Sequence, residues 1–301
     1  VAQAYFALIA LDSQVDAARR SLGLRERDLE LQRVRHRAGL IGNYQLRQQE
    51  AEVAAARAQV PALERDRAAQ ELALSVLLGR PPRAIIAQGI ERGADAGALP
   101  PPVVPDGVPS ELLLRRPDLF EAEQRLIAAN AEIGAARAGY FPRIPLTGYV
   151  GSESASLADL FTGPARIWQA TAALTQPLFQ GGRVRGEVAA ARARESQAMT
   201  HYQKAIQNAF REVRQALITQ DRAREIYEAE GGRITALEET FRLARIRYDN
   251  GVASQLEVLD AERNLLQAQL NRIAALRDRR IAVTDVIRAL GGGWQMQAND
   301  R

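Results

Sequence analysis

The chain of 301 residues contains no cysteine, which excludes disulfides, thiolate metal sites and thiol nucleophiles. Aromatic residues make up only 5%, which favours long helices with close backbone packing over a conventional globular interior. No run of about eighteen apolar residues occurs, so no transmembrane helix is available. The two histidines, His36 and His201, lie far apart without convergent acids, and a metal centre is not expected. Nucleophile, base and oxyanion groups do not converge, and neither a phosphate-cradling glycine loop nor a cofactor motif occurs; neither an enzyme nor a bound cofactor is expected. The opening stretch, VAQAYFALIALDSQVDAARR, is already helical in pattern and carries neither Met nor a signal peptide. The chain therefore reads as truncated or processed at its start.

What is abundant is alanine, leucine and charge. Lys and Arg number 40 against 36 Asp and Glu, and the isoelectric point is near 9.7. The arginines alternate with acids along helical stretches, as from Arg19 to Arg37, Arg57 to Arg67 and Arg183 to Arg194, with no aromatic platform among them. That pattern describes solvated helix faces, and no nucleic-acid partner is expected.

The most regular stretch runs from Arg245 to Leu290. After a break at Asn250-Gly251, apolar residues recur in steps of three and four: Leu256, Leu259, Leu266, Leu270, Ile273, Leu276, Val283, Ile287 and Leu290. Arg263 and Arg280 fill the two vacant positions. This heptad pattern predicts a helix packed along a neighbour. The stretch from Gly182 to Tyr248 is also helical in pattern, on the order of 100 Å at 1.5 Å per residue, with Gly231-Gly232 as an expected irregularity. The two helices predict a hairpin with glycine at its tip.

The same hairpin appears earlier. One helix is predicted to about residue 37, a break follows at Ala38-Gly39-Leu40-Ile41-Gly42-Asn43, and a second helix runs to about Leu78 before Gly79-Arg80-Pro81-Pro82. The distance from Gly39 to Gly251, 212 residues, also lays Glu50 on Glu262, Ala56 on Ala268, Arg65-Asp66-Arg67 on Arg277-Asp278-Arg279 and Leu78-Gly79 on Leu290-Gly291. A gapless register that fixes turn glycine and helix end together indicates an internal duplication. The first copy should once have had its own version of what precedes Val213.

Residues 80–109 are rich in Pro, Gly and Ala and form a linker, either ordered against the helices or free and flexible. Ser110 caps a short turn to Arg115, and Pro117 opens a helix that ends at Gly139. Two strand-like stretches follow, Ile144–Ser152 and Ile167–Phe179. In the second, Trp168, Ala170, Ala172 and Leu174 face one way, and Gln169, Thr171, Ala173 and Thr175 the other. Such a pair fits either barrel strands that cross a bilayer or an ordinary surface hairpin. Two strands cannot close a barrel, so the membrane reading needs strands from a lost copy, from other subunits, or from both.

Val108-Pro109-Ser110-Glu111-Leu112-Leu113-Leu114-Arg115-Arg116-Pro117-Asp118 resembles the signature of outer-membrane efflux proteins. It is followed by Ala122-Glu123, Ala128-Ala129, Ile133-Gly134, Ala136 and Phe141-Pro142. This is the TolC-like family, in the branch that serves resistance-nodulation-division pumps and includes NodT-type outer-membrane lipoproteins. Pro177-Leu178-Phe179, Gly181-Gly182, Tyr248, Gly251 and Leu259-Asp260-Ala261 look like further landmarks. The resemblance implies a mainly α fold with a small β part. Long helical hairpins would form a coiled-coil α-barrel, and the transmembrane β-hairpin would contribute to a trimeric β-barrel. It also implies a homotrimer in the outer-membrane lipid of a Gram-negative bacterium, a periplasmic adaptor (a membrane fusion protein) and an inner-membrane resistance-nodulation-division pump. The implied divisions are a first-repeat periplasmic hairpin over 1–79, an equatorial linker over 80–109 and helices leading to the barrel over 110–140. The strand pair follows over 141–181, the second-repeat periplasmic hairpin over 182–291 and a tail over 292–301.

Leu256, Asp260 and Arg263 stand at i, i+4 and i+7 on one face, with Glu257 three residues before Asp260. If three copies meet on an axis, Asp260 and Glu257 form rings of like charge, Leu256 an apolar constriction, and Arg263 a latch to a carboxylate. These residues match the gate-lining positions that the resemblance implies, and Tyr248 matches an aromatic that ties closed helices together. The competing reading is a surface ion pair worth about 0.3–0.5 kcal/mol. The first copy has Gln45, Gln48 and Ala51 at the positions of Glu257, Asp260 and Arg263, so gating charge is expected mainly in the second. The tips, Gly39-Leu40 and Gly251-Val252, resemble places where adaptors dock, and they also suit plain turns. Two functions are weighed: a passive exit duct for drugs, toxic compounds or metal ions, and a non-channel periplasmic coiled-coil adaptor or scaffold.

Overall fold

The computed structural model describes residues 1–81, 83–84, 89–92, 116–161, 163 and 166–292. The elements are α1 (Ala2–Arg37), α2 (Asn43–Leu77), α3 (Pro117–Arg137), β1 (Leu146–Ser152), β2 (Arg166–Ala172), α4 (Arg183–Asp249) and α5 (Gln255–Ala289). Ser110 and the turn to Arg115, most of the linker and the tail from 293 on lie outside the described residues. The chain divides into two compact units, residues 1–108 with 211–301, and residues 109–210.

In the first unit the duplication is visible in the helix bounds. Adding 212 to the ends of α2, residues 43 and 77, gives 255 and 289, the ends of α5. Each helix stops on the same device. Gly39, Gly79, Gly251 and Gly291 have φ of +74°, +66°, +72° and +92°. At the first turn the Leu40 N–H bonds back to the Arg35 carbonyl at 2.9 Å, and at the second the Val252 N–H bonds to Arg247 at 2.9 Å. This left-handed exit satisfies the last carbonyls of the helix and suits glycine, which lacks the Cβ that opposes positive φ. α2 passes Pro61 without ending.

The buried seam follows the leucine pattern at Leu259, 4% exposed, and departs from it elsewhere. On α5 the line that disappears from solvent is Ala261, Ala268, Ala275, Ala282 and Ala289, one residue every seven, none more than 6% exposed. Leu256 is instead 49% exposed, while Leu266, Leu270, Ile273, Leu276 and Val283 are half-buried. Apolar periodicity weighs bulk, whereas the contact line of closely packed helices selects small side chains and pushes leucines to the flanks. α5 packs on α1, whose own buried line includes Ala10, Ala17 and Ala18. Ala268→Leu should therefore lower stability by about 1–3 kcal/mol, because Ala268 is fully buried and added methylenes have no room. The shift of the thermal midpoint measures this, and an unchanged midpoint would show the seam to be loose.

Of the linker, residues 89–92 lie against the first hairpin. Ile90 joins Leu8 and Leu74 in a small core, and its N–H donates to Glu71 at 2.6 Å. Arg92 bonds both Asp12 and Glu71, at 2.9 and 2.6 Å, and the hydrogen bond from Arg92 holds the Glu71 carboxyl below its usual range. The expected irregularity at Gly231-Gly232 does not occur, since α4 runs through both as helix. The Arg272 guanidinium packs over Gly231, at an ordinary contact distance of about 3.7 Å from where a Cβ would sit. Arg272 and Arg279 flank the Tyr227 ring at 5.1 and 5.4 Å.

In the second unit Arg116, with its guanidinium on Asp118 at 2.6 Å, opens α3 at Pro117. The hydrogen bond from Arg116 lowers the Asp118 carboxyl, favourable for a negative charge in a first helical turn. The strands form an antiparallel pair with Leu146 opposite Ala172 and Ser152 opposite Arg166. They are shorter than the expected spans because Pro145 has no N–H for the ladder. The register nevertheless continues outward, with Ala173 N–H to Pro145 O at 3.2 Å and the Arg143–Thr175 bridge at 2.9 Å in both directions. One face carries Leu146, Gly148, Val150, Trp168, Ala170 and Ala172, with Ser152 and Arg166 at its end, and the other Thr147, Tyr149, Gly151, Ile167, Gln169 and Thr171. Neither face is covered: Trp168 is 78% exposed on the first and Tyr149 53% on the second.

Candidate functional site

The tip region of the first unit brings together most of the singled-out residues. Leu256, Glu257, Asp260 and Arg263 occupy the first turns of α5. Arg263 makes an ion pair with Asp260 three residues back, and its second terminal nitrogen lies 3.8 Å from Glu52 of α2. The hydrogen bond to Asp260 raises the Arg263 pKa further, so the guanidinium stays charged at any working pH. Asp260, Arg263 and Leu256 remain about half exposed.

Glu257 has local work as well. Ser254 caps α5 by accepting from the Glu257 N–H at 3.4 Å, and the Glu257 carboxylate accepts from the Ser254 N–H at 3.4 Å. This reciprocal cap needs an acceptor at that position, not a charge. In the first copy Gln45 makes the same bond to the Gly42 N–H at 3.0 Å. The Gln45–Glu257 difference therefore leaves the cap intact while adding a carboxylate, which lies 3.6 Å from Arg247.

Tyr248 sits at the end of α4 and ties the second hairpin to the first. Its hydroxyl accepts from Arg35 at 3.1 Å and from Gln32 at 3.3 Å, and the Arg35 guanidinium lies 5.6 Å from its ring centre. Arg245 to Asp28, at 3.2 Å, and Gln255 to Gln49, at 3.0 Å, cross between the same hairpins. These groups line a cavity of about 40 Å³ with Leu259 and Glu262.

Sequence reasoning missed the centre of this region. Arg25 of α1 is 4% exposed and holds Glu52 of α2 and Glu262 of α5, each at 3.0 Å. Burial pushes the Glu262 carboxyl above its ordinary range, and Arg25 opposes that rise. The available signal was periodicity: Val15, Ala18, Arg25, Leu29 and Gln32 fall on one seam of α1, where a charged residue demands a buried partner.

At the tips, Leu40 and Val252 are 74% and 70% exposed, and a Cβ built on Gly39 or Gly251 meets nothing within 4 Å. Positive φ, not crowding, is what restricts those positions. No helix is long and apolar enough to cross a membrane among the described residues.

Against known proteins, the family model described as outer membrane efflux protein matches residues 108–292. The chain belongs to that family. OprJ of Pseudomonas aeruginosa, an outer membrane protein, is 46% identical to this efflux protein over 188 residues, 62% of this chain and 39% of OprJ. SilC of Salmonella typhimurium, a probable outer membrane lipoprotein, is 33% identical over 294 residues, 98% of this chain and 63% of SilC. The CmeC outer membrane channel of Campylobacter jejuni superposes with a TM-score of 0.86 at 26% identity, over 99% of this chain and 62% of CmeC. The chain thus spans between 39% and 63% of the length of these relatives. Membership places the efflux protein in the outer membrane of Gram-negative bacteria.

Proposed function

We propose that this efflux protein, at full length, is the passive exit duct of a tripartite pump, carrying small molecules such as drugs, toxic compounds or metal ions outward. The carrying observation is the strand pair, apolar on one face except at its Ser152–Arg166 end, mixed to polar on the other, and exposed on both. A scaffold has no use for such a hairpin, whereas a barrel wall needs lipid on one side and a lumen on the other. Two strands leave open edges, which a bilayer does not tolerate. Barrel closure therefore calls for further strands, supplied by other copies in a homotrimer. In this reading residues 1–79 and 182–291 are the periplasmic hairpins and 141–181 the outer-membrane strand pair. Leu256, Glu257, Asp260, Arg263 and Tyr248 form the gate. The tips meet a periplasmic adaptor, beyond which an inner-membrane pump supplies the energy.

The test is planar-bilayer conductance of the protein at full length, with crosslinking to count subunits. Discrete channels from a trimer are expected; a soluble monomer or dimer without conductance would favour the coiled-coil scaffold. For the docking tips, Gly251→Leu should leave trimer formation intact while reducing adaptor crosslinking. The strain of a side chain at φ +72° costs about 1–2 kcal/mol and is confined to the turn. Adaptor crosslinking at the level of the unmodified protein would remove the tip from the docking surface.

A further inference from the structure

We propose that Glu52, a residue of the first repeat, helps to hold the gate on α5 closed. This rests on the gate reading of Leu256, Asp260 and Arg263. Five charged groups alternate in sign here, and each interior one uses different atoms for its two neighbours. Arg263 places Nη2 on Asp260 and Nη1 3.8 Å from Glu52 Oε1. Glu52 gives its other oxygen, Oε2, to Arg25 Nη1 at 3.0 Å, and Arg25 Nε lies 3.0 Å from Glu262 Oε1. The backbone carbonyl of Glu52 also accepts from Arg25, at 3.4 Å.

The buried end of this chain sets what the exposed end can do. An exposed glutamate that pairs with an arginine loses side-chain freedom, which cancels much of the Coulomb gain. Glu52 has already lost that freedom, because Arg25 fixes one of its oxygens from the interior. Its free oxygen therefore waits at a set position for Arg263. Without Glu52, Arg263 keeps only Asp260, a contact within its own helix that ties α5 to nothing. With Glu52, the same guanidinium joins α5 to α2, the second hairpin to the first. A movement that carries Leu256 and Asp260 away from the first hairpin must break this tie.

The tie is also one-sided. Shifted by 212 residues, Glu52 falls on Asn264 and Arg25 on Leu237. The second repeat has no equivalent pair to offer, so the first repeat contributes charge to the gate after all. It does so from a position that matching Gln45, Gln48 and Ala51 with the gate residues passes over.

The experiment is closed-state ion current of the full-length protein in planar bilayers for Glu52→Gln, Arg263→Ala and the double variant, with thermal midpoints alongside. Glu52→Gln and Arg263→Ala should each raise the current on the order of tenfold, the effect of about 0.5 kcal/mol lost in each of three copies. The double variant should leak far less than the product of the two factors, because both remove the same tie. Glu52→Asp, which keeps the charge, should restore most of the closure. If Arg263→Ala leaks while Glu52→Gln does not, or if the two factors multiply in full, Glu52 has no part in the gate and the gate itself stands. A purely structural role for Glu52 would give a lowered midpoint and a multiplying double variant, which also overturns the proposal. If Arg263→Ala leaves the current unchanged, the gate reading fails and this inference with it.

Discussion

Replacing Asp260 and Arg263 together with alanine, in the protein at full length, is expected to raise the closed-state current by about tenfold. The estimate follows from the geometry. Arg263 is about half exposed, so its tie to Glu52 contributes no more than ~0.5 kcal/mol in each copy; in the proposed trimer three copies would give ~1.5 kcal/mol, roughly a factor of ten between closed and open states. The single variants set the order of effects. In the proposed trimer Arg263→Ala would leave a ring of three Asp260 carboxylates that repel one another without compensation, so it should leak at least as much as the double variant. Asp260→Ala removes the repulsion along with the pair and should leak least. Single-channel recording at neutral pH reads all three; equal currents throughout would return Asp260 and Arg263 to an ordinary surface pair.

The second large effect is on stability. Arg25→Ala should cost about 3–5 kcal/mol, since it leaves Glu52 and Glu262 facing one another beside Asp28 with their shared cation gone. Partial exposure of Glu52, about one-fifth of its side chain, places the expectation near the lower end. The loss should depend on pH in a particular sense. Burial already lifts the folded-state pKa of Glu262 above its ordinary 4.5, and removing Arg25 removes an influence that lowers it. A carboxyl whose pKa is higher folded than unfolded binds more protons in the folded state between those two values. Its contribution therefore falls as pH rises through the folded pKa and recovers on acidification towards 4.5. Arg25→Ala should regain stability as pH falls towards 4.5, and adding Glu262→Gln should flatten that recovery. Denaturant titrations at several pH values check both statements, and a loss below about 1 kcal/mol would mean that water reaches this cluster freely.

Helix ends were legible because their causes are local. Gly39, Gly79, Gly251 and Gly291 mark left-handed exits, and a shift of one length matches all of them, so α2 and α5 could be bounded from sequence. The strand faces were legible for the same reason, as alternation at Trp168, Gln169, Ala170 and Thr171 maps directly onto two sides of a ladder. The contact line of α5 was not. Leucines dominate any apolar pattern by size, but Ala261, Ala268 and Ala275 touch the neighbouring helix because they are small. The cluster on Arg25 was hidden for a further reason: its partners lie 27 and 237 residues away, and nothing near Arg25 announces them. Comparison of the repeats held part of the answer, since a seam position that is Leu237 in one copy and Arg25 in the other marks a place where the copies have taken different work. The family match identifies the class of molecule without reaching these residues; the roles of Glu257 as a cap and of Glu52 beside Arg263 come from distances alone.

The alanine line has a mechanical side. Side chains that end at Cβ have no rotamers, so two helices meeting along such a line present each other with nearly smooth walls and no interlocking teeth. Little resists one helix sliding lengthwise past the other except groups that reach across and hold. Arg25 is such a group, and Gln3 on Asp285 is another: pins through a bearing of otherwise low friction. The proposed duct, which would open and close many times without unfolding, would be well served by that division of labour, in which the long contact carries the load and a few charges set the stop.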